Sequence, residues 1–193
     1  GIESPKVTVV GASGDFEKPY EGEKTFGSQQ ILFNGSDFQR KGGDLVLAAF
    51  KKVKQVLPEP KLVIIGKKLF LREDGIENPG QISRSALQNF FLKTDLVLAP
   101  AYCDPFPRFI MEAMNYGIPC IVSANDGMPE IVDHNVNGIV IEQPTAELLA
   151  NQIVNMLSNY SLLTSMSQAA RFKVRTKFNW NNVANNIAQV LSS

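Results

Sequence analysis

Histidine is nearly absent from this chain. His134 is the only one in 193 residues, which argues against a histidine-rich metal site or a histidine-based nucleophile triad. Cysteine is scarce: Cys103 and Cys120 allow at most one bridge. Both sit among apolar residues and read as buried free thiols of a reducing compartment, so a cytoplasmic location is expected. Net charge is lacking too. Nineteen lysines and arginines balance nineteen acids, so no global field recruits nucleic acid or anionic lipid. The opening GIESPKVTVV has no apolar core behind a basic start, so no secretion signal is read there. The uncharged stretch 148–170 is broken by Asn151, Gln152, Asn155, Ser158 and Asn159 and does not read as a membrane span.

What is present is globular. Hydrophobic residues make up 44% and charged residues 20%, ordinary proportions for a folded domain. A chain of this length buries about 70% of its unfolded surface without disulfide or metal. Short apolar runs alternate with amphipathic ones. Strands are expected at Lys6–Val10, Ile31–Asn34, Leu62–Ile65, Leu96–Ala99, Cys120–Ser123 and Gly138–Ile141. Runs such as Leu62-Val63-Ile64-Ile65 do not alternate, as in strands covered on both faces of a parallel sheet. Helices are expected at Asp44–Leu57, at Arg84–Lys93 behind Ser83, near Arg108–Tyr116, after Thr145, and through Val183, Ile187, Val190 and Leu191. The alternation predicts an α/β fold, a doubly wound, Rossmann-like parallel sheet. Residues 12–29 are charged and poor in large apolar side chains, so 1–29 read as a first strand plus a linker and 30–193 as the domain.

In such a sheet ligands bind beyond the carboxyl ends of the strands. Gly11-Ala12-Ser13-Gly14 follows the first expected strand but lacks dinucleotide-binding spacing and reads as a turn. After Asn34, the run from Gly35 and Ser36 to Arg40-Lys41-Gly42-Gly43 sets two cations before a helix. That suits a phosphate, and equally a solvated loop with a glycine hinge. After Pro100, Asp104 falls in a loop and Glu112 on the following helix. Two carboxylates about a helix start suit a polyol. The same spacing fits an acid–base pair, or a helix cap beside an exposed glutamate.

Taken together, the ordered motifs are specific. They are Phe33-Asn34-Gly35 with Arg40-Lys41-Gly42-Gly43-Asp44; Thr94-Asp95-Leu96 through Pro100; Asp104-x7-Glu112-Ala113-Met114; Gly117-Ile118-Pro119; and Gly127-Met128-Pro129-Glu130 with Asn137-Gly138. In this order they resemble the C-terminal half of glycosyltransferase family 4, the glycogen-synthase-like GT-B enzymes, from about Lys6 to Leu191. The resemblance implies a nucleotide-sugar-binding domain of a retaining hexosyltransferase. Its acceptor domain would be a separate N-terminal half, and neither metal nor resident cofactor is implied.

By this resemblance Lys41 contacts the donor diphosphate, Glu112 the ribose hydroxyls and Asp104 the sugar hydroxyls. Backbone amides across Phe106, Pro107, Arg108, Phe109 and Ile110 approach sugar and phosphates, and Ile82 lines the base. Three positions depart from the family pattern. Ser36 stands where many members carry arginine, with Arg40 as a substitute cation; Asp104 replaces a glutamate; Pro107 replaces a common glycine and removes one N–H. These departures motivate a second expectation, a catalytically degenerate nucleotide-binding or assembly module of the same fold. Elsewhere, Gly127–Val132 is expected to shape the cleft edge, His134 to be solvated, and Phe178 and Trp180 to pack the last helix.

Overall fold

The structure, a computed structural model, describes residues 7–192. Its strands are β1 (Gln30–Asn34), β2 (Lys61–Ile65), β3 (Ile76–Gly80), β4 (Leu96–Ala99), β5 (Cys120–Ser123) and β6 (Gly138–Ile141). Its helices are α1 (Gly43–Val53), α2 (Arg84–Lys93), α3 (Arg108–Asn115), α4 (Met128–Ile131), α5 (Ala146–Leu157), α6 (Tyr160–Lys177) and α7 (Trp180–Ser192). The strands form one sheet in the order β3-β2-β1-β4-β5-β6, and every pairing is parallel. This is the expected α/β doubly wound architecture. The chain leaves β1 toward one edge and returns to β4 on its other side, so the topological switch lies between β1 and β4.

Two apolar layers explain the strand composition. Ile31, Phe33, Leu62, Ile64, Leu96 and Leu98 pack beneath α1 and α5. Leu32, Val63, Ile65, Val97 and Val122 pack beneath α2, α3 and part of α6. Each central strand is therefore apolar on both faces, which leaves no room for alternation.

Several expectations fail for identifiable reasons. Of the strand expected at Lys6–Val10, Lys6 lies outside the described residues and 7–10 form no strand. β1 already has β2 and β4 as neighbours, Val7 and Val9 are exposed, and the Val10 carbonyl accepts from Asn186 on α7 instead. The sixth strand is β3, whose Ile-Glu-Asn-Pro-Gly composition argues against a strand. It survives as an edge strand, where proline is tolerated, and the Asn78 side chain donates to the Ile64 and Lys67 carbonyls at 2.7 and 3.0 Å. α1 ends at Val53 rather than Leu57, though Leu57 remains buried. The 148–170 stretch divides between α5 and α6, and among the described residues no helix is long and apolar enough to cross a membrane. Cys120 is buried as expected, whereas Cys103 is exposed at the head of a loop. Phe178 is buried, but Trp180 is 53% exposed. His134 is exposed and its Nδ1 accepts from the Val140 amide at 3.1 Å.

Residues 7–29 carry neither helix nor strand and lie as a strap along α2, α3 and α6. Ser13 Oγ donates to the Phe178 carbonyl (2.9 Å), the Tyr20 amide to Asn115 Oδ1 (3.1 Å), and Arg171 to the Gly22 carbonyl (2.8 Å). Tyr20 stacks on Tyr116 with centroids 4.5 Å apart. Lys24 donates to the Thr94 carbonyl at 2.5 Å, and its burial drives the amine down to about 8. The last anchor is Asp95, 1% exposed, whose Oδ2 accepts from the Gly27 and Gln29 amides at 3.0 and 2.8 Å.

Replacing Asp95 with alanine strands those two amides. Asp95→Ala is expected to lower the unfolding free energy by about 1.5–3 kcal/mol, the usual worth of a hydrogen bond to a charged group, since water can reach the exposed Gly27 amide. Urea denaturation measures this, and Asp95→Asn, which keeps an acceptor, is expected to lose less.

Candidate functional site

The switch point brings the loops after β1 and β4 into contact. Gly42, the N-cap of α1, has φ +75°, and a Cβ there would lie 2.3 Å from the Pro100 carbonyl oxygen. Only glycine allows this approach in this backbone region. Arg40 reinforces it: its guanidinium holds Asp37 at 2.8 Å and donates to the Cys103 carbonyl at 2.5 Å, while the Tyr102 amide donates to the Arg40 carbonyl. Arg40 thus ties the two loops together and lines neither of the two cavities that Glu112 borders, contrary to its expected place as a second phosphate cation.

Lys41 does reach the site. Its ammonium stands 3.5 Å from Asp104 Oδ2, and both side chains are largely buried. The Asp104 amide donates to Asp126 Oδ2 at 2.7 Å, and the Gly127 amide to the Pro105 carbonyl at 3.0 Å. The Gly127–Val132 segment thereby supports the loop from below, with Ile131 and Val132 buried. Pro107 caps α3, and the Ile110 amide donates to its carbonyl at 3.1 Å. That bond commits one amide expected to face a ligand, and Ile110 itself is fully buried. The first-turn amides of Arg108 and Phe109 have no protein acceptor among the described residues, as helix starts require.

Two adjoining cavities of about 370 Å³ each open here. Lys41, Asp104, Phe106, Pro107, Arg108 and Phe109 line the first. Ser36, Ile82, Leu87, Phe91, Phe16 and Tyr116 are among those lining the second. Asn34, Ile65, Leu87 and Glu112 border both. Gly35 lies buried at the end of β1, its amide donating to the Ile65 carbonyl at 2.8 Å. A third hollow of about 790 Å³ continues along the strap past Arg84, Tyr20 and the exposed Trp180.

Glu112 sits where the two 370 Å³ cavities meet. Its Oε1 accepts from the Asp15 amide at 3.1 Å. Burial pushes its carboxyl above the ordinary glutamate range, and the Asp15 hydrogen bond pulls the other way. Asp15 in turn forms an ion pair with Arg84, the first residue of α2. Chemically, the first cavity offers two cations (Lys41 and Arg108), two carboxylates (Asp104 and Glu112) and a helix N-terminus, which suit an anionic group bearing hydroxyls. The second sets apolar and aromatic side chains (Phe16, Ile82, Leu87, Phe91 and Tyr116) beside Glu112 and the Asp15–Arg84 pair, which suits a flat ring carrying a diol.

Sequence reasoning missed the far wall of the second cavity: Asp15, Phe16, Arg84, Asn115 and Tyr116. Ser83 signalled the start of α2, and its Oγ accepts from the Ala86 amide at 3.2 Å. Without β3, though, nothing placed that helix start beside β1. The strap residues carried no periodic signal.

The chain is similar to known glycosyltransferases. A sequence profile described as glycosyl transferases group 1 matches residues 16–173. An uncharacterized glycosyltransferase of Methanocaldococcus jannaschii is 27% identical over 173 residues, covering 84% of this chain and 44% of that protein. Sucrose-phosphate synthase from Thermosynechococcus elongatus superposes with a TM-score of 0.73 at 25% identity, covering 84% of this chain and 44% of that one. Anabaena HepE, solved in complex with UDP and glucose, gives a TM-score of 0.74 at 23% identity over 85% of this chain and 48% of its own. The chain thus spans about half the length of these relatives.

The raised Glu112 carboxyl has a consequence for stability. The unfolded chain gives up this proton at the ordinary value and the folded chain at a higher one. Stability from this group is therefore present in acid and lost as pH rises through the folded value. Glu112→Gln is expected to raise the melting temperature at pH 7, on the order of 2 °C for a domain this size. The gap to wild type should close as the pH falls below the ordinary glutamate range, as a calorimetric pH series would show.

Proposed function

The chain belongs to the glycosyl transferases group 1 family, and from that footing we propose that it is the donor-binding half of a retaining hexosyltransferase of family 4. Such an enzyme transfers a sugar from a nucleoside-diphosphate sugar to an acceptor hydroxyl. The observation that carries the reading is the position of Glu112 between two adjoining cavities, one lined by Lys41, Arg108 and the start of α3 and the other by Ile82, Leu87 and Phe91 beside polar groups. UDP in the HepE complex supports the same ligand class.

In this reading the diphosphate and sugar occupy the first cavity. Lys41 and the first-turn amides of α3 stabilise charge growing on the departing diphosphate. Asp104 accepts from sugar hydroxyls, and Glu112 accepts from the ribose diol. Ile82 and Leu87 cover the base, with Ser36 at the edge of the same cavity. The nucleotide sugar is a co-substrate, and the reading calls for no resident cofactor or metal. Residues 30–193 form the donor domain, 1–29 the link to an acceptor-binding half, and the setting is cytoplasmic, a reading that the exposed free thiol of Cys103 supports.

One observation favours the second reading, a degenerate nucleotide-binding module. Lys41 is already engaged by Asp104, Arg40 is turned to the loops, and Ser36 brings no charge. A diphosphate would meet one partly neutralised ammonium and the exposed Arg108.

Thermal melts with UDP, GDP and ADP test the proposal. At 100 times its dissociation constant a ligand adds about 2.7 kcal/mol, or roughly 5–11 °C here. One nucleotide is expected to give this shift, and Lys41→Ala and Glu112→Ala are each expected to abolish it. No shift with any of the three sinks the donor-site reading. A large gain in affinity from Ser36→Arg would favour the degenerate module, and a loss would favour a site tuned as it stands.

A further inference from the structure

We infer that the Ser13–Phe16 part of the strap is a positioning element of the nucleotide pocket: the Asp15 amide orients the Glu112 carboxylate toward a ribose diol, and the Asp15–Arg84 ion pair latches the segment across the cavity. The inference rests on the donor-site reading for the identity of the ligand. Its structural part stands on the geometry alone.

The Asp15 amide is the one protein donor to Glu112 among the described residues, and it engages Oε1 alone. The other oxygen is left for a ligand. With one oxygen fixed, the rotation of the carboxylate is set before any ligand arrives, and misplacement of such a group by about 1 Å can cost 100-fold. The close approach demands a particular neighbour. A Cβ on Gly14 would lie 3.2 Å from Glu112 Cγ and 2.5 Å from the Phe16 ring, so a side chain there drives the strap and the carboxylate apart.

The segment is held at both ends. Ser13 is 1% exposed and its hydroxyl donates to the Phe178 carbonyl at 2.9 Å. The Phe178 ring packs edge-on against Phe106 of the loop after β4, centroids 6.1 Å apart. At the other end, Arg84 starts α2 and reaches across to Asp15, and both border the second cavity. Phe16 fills the space between, packed on the apolar layer that contains Phe91. Asp15 and Arg84 therefore act through Glu112 and are positioning residues.

Charge reversal and charge swap in the 193-residue chain test this. Arg84→Asp and Asp15→Arg each break the latch, and the double variant restores it with the poles exchanged. One readout needs no ligand: hydrogen exchange of the residue-15 amide by NMR. The other is the affinity ratio, by calorimetry, between the nucleotide selected in the melts above (UDP, GDP or ADP) and its 2′-deoxy counterpart. Wild type is expected to show a protected amide and a preference for the ribonucleotide of about 10-fold or more, since a site built to bond a hydroxyl rejects the analogue lacking it. Each single variant is expected to speed exchange about 10-fold or more through local opening and to lose most of the preference. The swap is expected to recover both. Single variants that keep a protected amide, or that keep the preference, overturn the inference. So does a swap that fails to restore the ratio, because that outcome assigns Arg84 a direct ligand contact. If single variants keep the preference while wild type binds and discriminates, the inference falls alone. If no nucleotide binds, the donor-site reading falls and the inference with it.

Discussion

Gly42 sits where two loops must touch. The chain turns from β1 into α1 there, and a Cβ at this position would lie 2.3 Å from the Pro100 carbonyl oxygen. Because β1 and β4 are sheet neighbours but far apart in sequence, the loops that follow them are brought side by side only by the sheet. That contact sets Lys41 beside Asp104 and aligns the start of α3 with the end of β1. The Arg40 bonds to Asp37 and the Cys103 carbonyl fix the same junction from outside. The face that carries the two cavities is therefore a product of backbone packing before it is a product of charge.

A second constraint runs through Asp95. This buried carboxylate stands at the entry to β4 and accepts two amides from the strap, while its own amide donates to the Gln30 carbonyl of β1. One side chain thus links the sheet to a segment without regular structure. The strap then follows Tyr116, Asn115 and Glu112 along α3. Irregular backbone acquires a defined path because its polar groups find partners on helices that the sheet already holds in place.

The centre of the fold was legible because its signals are local and redundant. Apolar runs marked β1, β2, β4, β5 and β6, and Ser83 and Thr145 marked helix starts that the structure caps as expected. Lys41, Asp104 and Glu112, which the resemblance singled out where spacing alone left a solvated loop and a helix cap open, border one cavity in the structure. β3 was illegible for a physical reason: Asn78 and Pro79 read as turn residues, and only the edge position and the Asn78 side-chain bonds make them a strand. The direction of Arg40 and the exposure of Cys103 depend on which loops meet, which sequence spacing does not report. The strap remained hidden because its order comes from tertiary hydrogen bonds, with no periodicity of its own.

Trp180 is the sole tryptophan, and it stands half-exposed on the hollow that Asp15, Phe16, Tyr20 and Arg84 also border. An indole in that position is an optical probe already built into the chain. Its emission responds to local polarity, so movement of the strap changes the colour and yield of its fluorescence with no label attached. The protein therefore carries its own reporter beside the segment that encloses its second cavity.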